Sequence, residues 1–114
     1  MTITAFLEKL DKGPHEISFH ETMAVIDVHY NFRPIGFTNG NLVNVAGQNT
    51  GSCKLFSFAK LQGLNVDDTL SCFGDYYRVD VLENPDKEDH QNIRNFMKTG
   101  WEGMTFEQDA LTKK

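Results

Sequence analysis

The chain has 114 residues, of which 39% are hydrophobic and 11% aromatic, and its formal net charge at pH 7 is −5. That length is typical of a single domain spanning residues 1–114, and the apolar content excludes global disorder. The basic residues are dispersed, so the clustered positive surface that nucleic acid requires is not predicted. No apolar run approaches the roughly 20 residues of a membrane span, and the N-terminus lacks a general secretory signal. We therefore expect neither a nucleic-acid nor a membrane partner.

The N-terminal third favours two helices with a short strand between them. Thr2 can cap a first helix whose apolar residues recur at helical spacing, and Gly13-Pro14 ends it. Residues 16–19 alternate polar and apolar side chains, which predicts a strand. Residues 20–32 fit either a helical face or strand alternation. An acidic residue in the first turn favours a helix over residues 21–30.

The middle of the chain contains a hairpin signal followed by a helix. Asn39-Gly40 lies between apolar runs and predicts a tight hairpin, because both residues accept positive φ. Ser52 can cap a third helix that reaches about Gln62 and stops at Gly63. Its apolar residues cover a wide arc, so we expect this helix to be central to the core.

The C-terminal half predicts two further helices and one strand. Asn65 starts a fourth helix, which Gly74 can interrupt. Asp86 or Asp89 can cap a fifth helix that Gly100 ends. Residues 101–106 allow a last strand, and the polar tail after about residue 107 is expected to fray, with Leu111 as a residue that could dock. The predicted fold class is α/β (mixed α+β), a small sheet of three or four short strands covered by about five helices.

Cys53 is the strongest candidate for a catalytic nucleophile. It lies in the first turn of the predicted third helix beside Lys54, and both features favour the thiolate. Gln48 could donate to an oxyanion, and His90 could act as the base. The alternative is that Cys53 fills a place in the core, which is the commoner role for a cysteine. Together with Cys72 it is predicted to be a free thiol in a reducing cytosol.

A second candidate is a ligand-binding surface around residues 39–54, which are rich in asparagine and glycine. The spacing is not that of a phosphate-binding Walker loop. We expect residues 47–52 and the fourth and fifth helices to line one concave surface. The candidate ligand-binding residues on that surface are Asn49, Ser52, Asp75, Tyr76 and Arg94. The alternative is that the amide side chains only brace a tight loop.

No cofactor and no metal site are predicted, because the histidines and carboxylates lack dense ligand spacing. Asp80 falls on the inward side of the fourth helix, so it needs a partner, and Arg94 is the predicted one. Arg78 beside Asp75 predicts a solvated ion pair on the helix surface.

Four strings together carry a family resemblance: FTNG, AGQNTGSCK, FGDYYRVDVL and HQNIRNFMKTGW. They are similar to the HopJ family, small bacterial proteins named as type III effectors that are delivered into plant cells, and the match runs over about residues 19–106. The resemblance implies a bacterial origin and an α/β fold with a small barrel-like sheet. It supplies no catalytic residues and no cofactor.

Two function hypotheses follow. In the first, the chain is a HopJ-like binding or interaction protein whose partner is a protein or a small molecule. In the second, it is a small hydrolase or transferase that uses Cys53. Type III effectors typically begin with an unstructured, serine-rich leader, whereas here a helix is predicted to start at Thr2. The expected location is therefore the bacterial cytoplasm, with secretion into a host cell as the alternative.

Overall fold

A computed structural model describes residues 1–114 and shows a mixed α/β fold. The α-helices are α1 Ile3–Lys12, α2 Phe19–His29, α3 Thr50–Gln62, α4 Val66–Ser71 and α5 Gln91–Thr99. The strands are β1 Tyr30–Phe32, β2 Phe37–Asn39, β3 Leu42–Asn44, β4 Met104–Phe106 and β5 Leu111–Lys113. A π-helical segment covers Tyr76–Val81, and 3₁₀ turns cover Pro14–Glu16 and Gly100–Gly103.

The predicted α/β class is confirmed, but the barrel-like sheet is wrong. The strands form two separate antiparallel sheets, one in the order β3-β2-β4 and one that pairs β1 with β5. Five strands are present rather than three or four, and they do not close into a barrel. None of the helices combines the length and apolar character that a bilayer crossing requires.

The segment before α2 is not a strand, which corrects the prediction for residues 16–19. Ser18 caps α2: its hydroxyl accepts a hydrogen bond from the Glu21 backbone N–H at 3.0 Å, and Glu21 accepts one from the Ser18 N–H at 3.3 Å. This capping box holds Ser18 in extended backbone immediately before the helix, which begins at Phe19, so the alternating residues 16–19 include a helix cap and the first helical residue. The helix predicted over residues 21–30 is confirmed.

The predicted hairpin is confirmed, whereas the expected fraying of the tail is wrong. Asn39 pairs with Leu42, so the loop consists of Gly40 and Asn41, of which only Gly40 has positive φ. The tail returns to the body of the protein and β5 pairs with β1, with Leu111 only 5% exposed. The C-terminal residues therefore complete the second sheet.

Helix α3 passes through the centre of the core, as predicted. Phe56 and Phe58 are fully buried on it. The Phe56 ring lies 4.9 Å from the Phe96 ring and 5.4 Å from the Phe73 ring, centroid to centroid. Gly63 ends the helix in the left-handed conformation. These rings form part of one hydrophobic core of 20 buried residues, whose removal from water stabilises the fold.

The predicted fourth helix is divided in two. Asn65 caps α4 as expected, since its Oδ1 accepts a hydrogen bond from the Asp68 N–H at 2.8 Å. Gly74 then takes a φ of +63° and packs against the start of α2, where a Cβ would lie 2.7 Å from the Phe19 nitrogen. Because only glycine fits there, the chain breaks and resumes as the π-helical segment Tyr76–Val81. Such segments are frequent at functional sites.

Candidate functional site

An open cleft of about 400 Å³ lies where the N-termini of α3 and α5 meet the π-helical segment. We call it the His90 cleft. Its lining residues are Phe19, Leu42, Asn49, Gly51, Ser52, Phe73, Tyr76, His90, Gln91, Asn92 and Ile93. Three aromatic rings form one side, and polar residues from the two helix starts form the other. This combination of apolar surface with a few convergent polar groups is typical of ligand sites.

The aromatic side of the His90 cleft is built by contacts between distant segments. The Phe19 ring stacks on Phe73 at 6.2 Å and meets Tyr76 edge-on at 5.2 Å, centroid to centroid. Gly51 allows this approach, because a Cβ at that position would lie 2.9 Å from the tip of the Phe19 ring. A larger residue at position 51 would push the aromatic side away from α3.

Both helices that open on the His90 cleft begin without a side-chain cap. The residue before each one is in the left-handed conformation, Asn49 at φ 52° and His90 at φ 51°. The caps predicted at Ser52, Asp86 and Asp89 are therefore wrong, and Ser52 lies inside the first turn of α3. The first backbone N–H groups of each helix lack a side-chain acceptor, so they are available as hydrogen-bond donors.

His90 is held by a carboxylate and an aromatic ring. Its Nε2 lies 3.0 Å from Asp80 Oδ2 and 3.9 Å from Asp89 Oδ2, and its ring lies 5.2 Å from the Tyr76 ring. An ionised Asp80 can only accept a hydrogen bond, so it selects the tautomer with the proton on Nε2. Nδ1 of the neutral ring is then a proton acceptor. The predicted pairing of Asp80 with Arg94 is wrong.

Arg94 organises the approach to α5 instead of lining the cleft. It is only 8% exposed and donates to the Asp89 carboxylate at 2.7 Å, to the Asp89 carbonyl at 2.6 Å and to the Pro85 carbonyl at 3.3 Å. Its hydrogen bond lowers the pKa of the Asp89 carboxyl. These contacts fix the residues immediately before His90, so Arg94 positions that histidine.

Asp75 also lies outside the His90 cleft. It is exposed at the edge of a neighbouring cleft, which shares Phe19, Phe73 and Tyr76 with the first. Its carboxylate is 3.6 Å from the Arg78 guanidinium, as in the predicted surface pair. Arg78 also donates to the Ile17 carbonyl at 2.5 Å, which ties the π-helical segment to the start of α2. Of the five predicted ligand-binding residues, Asn49, Ser52 and Tyr76 thus line one cleft.

The three candidates for a cysteine-based site are not brought together. Cys53 is 1% exposed, its Sγ lies 4.0 Å from the Ile35 carbonyl oxygen, and it does not line the His90 cleft. Burial raises the pKa of the Cys53 thiol, which outweighs the expected effect of the helix start. Cys72 is also buried, and burial raises its pKa to about 12. Gln48 is exposed in the loop, where it accepts a hydrogen bond from Val45.

A network of asparagine side chains lies behind the cleft. Asn44 exchanges two hydrogen bonds with Asn92 of α5, at 3.0 and 3.2 Å, and accepts one from Asn49 at 2.7 Å. Asn39 donates to the Asn92 carbonyl at 2.7 Å, and Asn95 donates to the Asn39 carbonyl at 3.0 Å. Asparagine side chains of residues 39–54 therefore brace this region, and they do so mainly against α5. The partners on α5 could not be predicted from the sequence of the loop.

Two other surfaces differ from the His90 cleft. The neighbouring cleft, of about 520 Å³, also gathers polar side chains, among them His15, His20 and Arg78, but the helix start beside it, that of α2, is capped by Ser18. A groove of about 540 Å³ near Trp101 is bordered mainly by apolar residues, with Thr105 and one cation, Lys60, which lies 4.9 Å from the centroid of the Phe106 ring. No group of three or more histidine, cysteine, aspartate or glutamate side chains has the geometry of a metal site. The His90 cleft is therefore the strongest candidate for function.

These features define a small mixed α/β protein with a single aromatic and amide-lined cleft at two helix starts. Residues 3–111 match the family described as HopJ type III effector protein, and the chain belongs to that family. It is also similar to a solved structure, "Crystal structure of unknown function protein VPA0580", with 54% identity over 100% of this chain and 95% of the other, at a TM-score of 0.99. The comparison with curated protein sequences gave no match.

Proposed function

We propose that this HopJ family protein is a binding protein whose His90 cleft takes a small ligand with a planar apolar part and a carbonyl or carboxylate oxygen. The observation that supports it most is the pairing, within one cleft, of the aromatic surface of Phe19 and Tyr76 with donors from two uncapped helix starts. The side-chain hydroxyl of Ser52 and the amide of Gln91 add further donors at the same place.

The charge of the chain supports a small ligand over a polyanion. The net charge is −5, no arginine or lysine lines the cleft, and Arg94, which follows the lining residue Ile93, is already paired with Asp89. A phosphate backbone would meet no free cluster of cations here. Nucleic acid is therefore not the proposed partner, nor is a membrane surface.

Family membership supports a further part of the proposal, that the bacterium delivers the protein into a host cell through a type III system. A fusion to a reporter enzyme that is active only in host cytoplasm tests this. Signal is expected from a strain with a working secretion system and not from a matched strain whose secretion ATPase is deleted. Equal signal from both strains would contradict it, and retention in the bacterium would favour the cytoplasmic alternative.

The binding proposal is tested by titrating ¹⁵N-labelled protein with benzoate, phenyl phosphate and acetate. Benzoate should shift amide resonances at the first turns of α3 and α5, and Tyr76→Ala should weaken its binding about tenfold, the effect of losing roughly 1.4 kcal/mol of ring contact. Met97→Ala is the matched control, since Met97 is exposed on α5 and does not line the cleft. Absence of shifts with all three compounds, or shifts confined to another surface, would refute the proposal.

A further inference from the structure

The His90 cleft is lined by the Ser52 hydroxyl and the His90 imidazole, and that imidazole contacts the Asp80 carboxylate at 3.0 Å. We propose that it hydrolyses small carboxylic esters, with Ser52 as the nucleophile, His90 as the general base and Asp80 as the residue that orients His90. This inference rests on the binding function proposed above and assigns it a substrate class.

The position of Ser52 follows from the helix that carries Cys53. Successive residues of an α-helix are about 100° apart around its axis, so a helix that buries Cys53 in the core turns Ser52 toward a different side. Ser52 lines the cleft together with His90, whereas Cys53 does not. The Ser52 hydroxyl, next in sequence to the Cys53 thiol that was considered as a nucleophile, therefore lies where a substrate can reach it.

The base and its orienting group are already in contact. Asp80 accepts from His90 Nε2 at 3.0 Å, which leaves Nδ1 as the basic nitrogen. Ser52 and His90 line the same cleft without a direct hydrogen bond, so the proposed proton transfer requires the Ser52 hydroxyl to turn toward Nδ1 when a substrate binds. Free N–H groups in the first turn of α3 are donors for the oxyanion that forms beside Ser52. The apolar surface formed by Phe19 and Tyr76 suits an ester with a planar acyl or alcohol group.

The reaction balances without any cofactor. Ser52 Oγ bonds to the acyl carbon while its proton passes to His90 Nδ1. The bond from the acyl carbon to the alcohol oxygen then breaks, and His90 returns the proton to that oxygen. A water molecule next loses a proton to His90 as its oxygen bonds to the acyl carbon, and the acyl bond to Ser52 breaks with return of the proton to Oγ. The products are a carboxylic acid and an alcohol.

The first experiment treats the full chain with an aryl fluorophosphonate and locates the adduct by peptide mass spectrometry. One phosphonyl group on Ser52 is expected, none on Ser52→Ala, and labelling at least about 100-fold slower for His90→Gln. Thr50→Ala is the matched control, because Thr50 is an exposed hydroxyl residue in the same helical turn that does not line the cleft. It should label at the wild-type rate. Circular dichroism identifies any variant that fails to fold.

The role of Asp80 needs a readout that a structural role would not change. Fluorophosphonate labelling and benzoate binding together supply that readout. Asp80→Asn should slow the labelling of Ser52, because His90 loses the carboxylate that accepts its Nε2 proton, while benzoate binding stays at the wild-type level. Asp80→Glu restores a carboxylate acceptor and should recover labelling toward the wild-type rate. Equal slowing in both variants, or loss of benzoate binding in Asp80→Asn, would overturn the orienting role.

Benzoate binding separates failure of this inference from failure of the binding proposal. If wild type binds benzoate in the cleft but a folded protein acquires no adduct on Ser52, the hydrolase assignment is wrong and the binding function stands. If neither benzoate nor the fluorophosphonate engages the cleft, both are wrong. Turnover of p-nitrophenyl acetate by wild type, lost in Ser52→Ala while benzoate binding persists, is the result that supports hydrolysis.

Discussion

Asn44 joins three segments that meet behind the His90 cleft, so its replacement by alanine is an informative perturbation. Its side chain exchanges hydrogen bonds of 3.0 and 3.2 Å with Asn92 and accepts one of 2.7 Å from Asn49. Each such bond contributes about 1 kcal/mol net, and a buried amide left without a partner costs about 1–3 kcal/mol. Asn92 is buried and Asn49 is exposed, so only the former suffers that cost. Asn44→Ala should therefore lower the free energy of unfolding by about 2–4 kcal/mol.

Urea unfolding followed by the fluorescence of Trp101 measures this change. With a slope of about 1.5 kcal/mol per molar urea, the midpoint should fall by roughly 1.3–2.7 M. Asn41→Ala is the control, because Asn41 is exposed and accepts one bond of 3.3 Å from Asn95. Its midpoint should stay within about 0.3 M of wild type. An Asn44→Ala midpoint equal to that of the control would refute the view that the amide network holds the cleft together.

The remaining predictions concern the core, one ion pair and the two thiols. Phe58→Ala should cost about 3–5 kcal/mol in urea unfolding, against less than about 1 kcal/mol for the exposed Leu61→Ala on the same helix, and similar midpoints would contradict a central α3. A lysine partner lowers the pKa of Glu21 from 4.5. Its stabilisation is therefore present above that value and lost as pH falls through the lowered pKa, so Glu21→Gln should be less stable than wild type at pH 7 and equally stable once the pH lies below the lowered pKa. Burial raises the pKa of both Cys53 and Cys72, so iodoacetamide should label them much more slowly in the native chain than in urea; fast native labelling of Cys53, read by peptide mass spectrometry, would refute its burial.

Local signals in the sequence predicted most of the helices and the hairpin, because those signals act within a few residues. Gly63 and Gly100 end helices, Asn65 caps one, and Asn39-Gly40 marks the turn between β2 and β3. The strand β5 was not predictable in this way. A polar tail pairs with β1 only because the two segments, about 80 residues apart, meet across the core. The residues of the tail by themselves do not indicate that β1 is the strand with which they pair.

The candidate site was predicted in part. The high content of asparagine and glycine in residues 39–54 indicated a polar surface in this region. Asn49, Ser52 and Tyr76 do line one cleft. Sequence periodicity does not fix which side of a helix meets the core, so it could not decide between the two roles considered for Cys53, and it misplaced Arg94. A shift of one residue along α3 exchanges a buried thiol for an accessible hydroxyl.

The starts of α3 and α5 share a feature that local sequence does not predict. Asn49 and His90 both adopt the left-handed conformation, which costs a residue other than glycine about 1 kcal/mol or more and persists only where the surroundings enforce it. At Asn49 the bond to Asn44 supplies the constraint, and at His90 the contacts with Asp80 and Tyr76 do so. Each of these residues precedes a helix start that has no side-chain cap, and both helix starts lie at the same cleft. Two unfavourable backbone conformations therefore accompany the free N–H donors at this site. A serine or aspartate cap at either position would bond one of these N–H groups within the chain and leave fewer donors for a ligand.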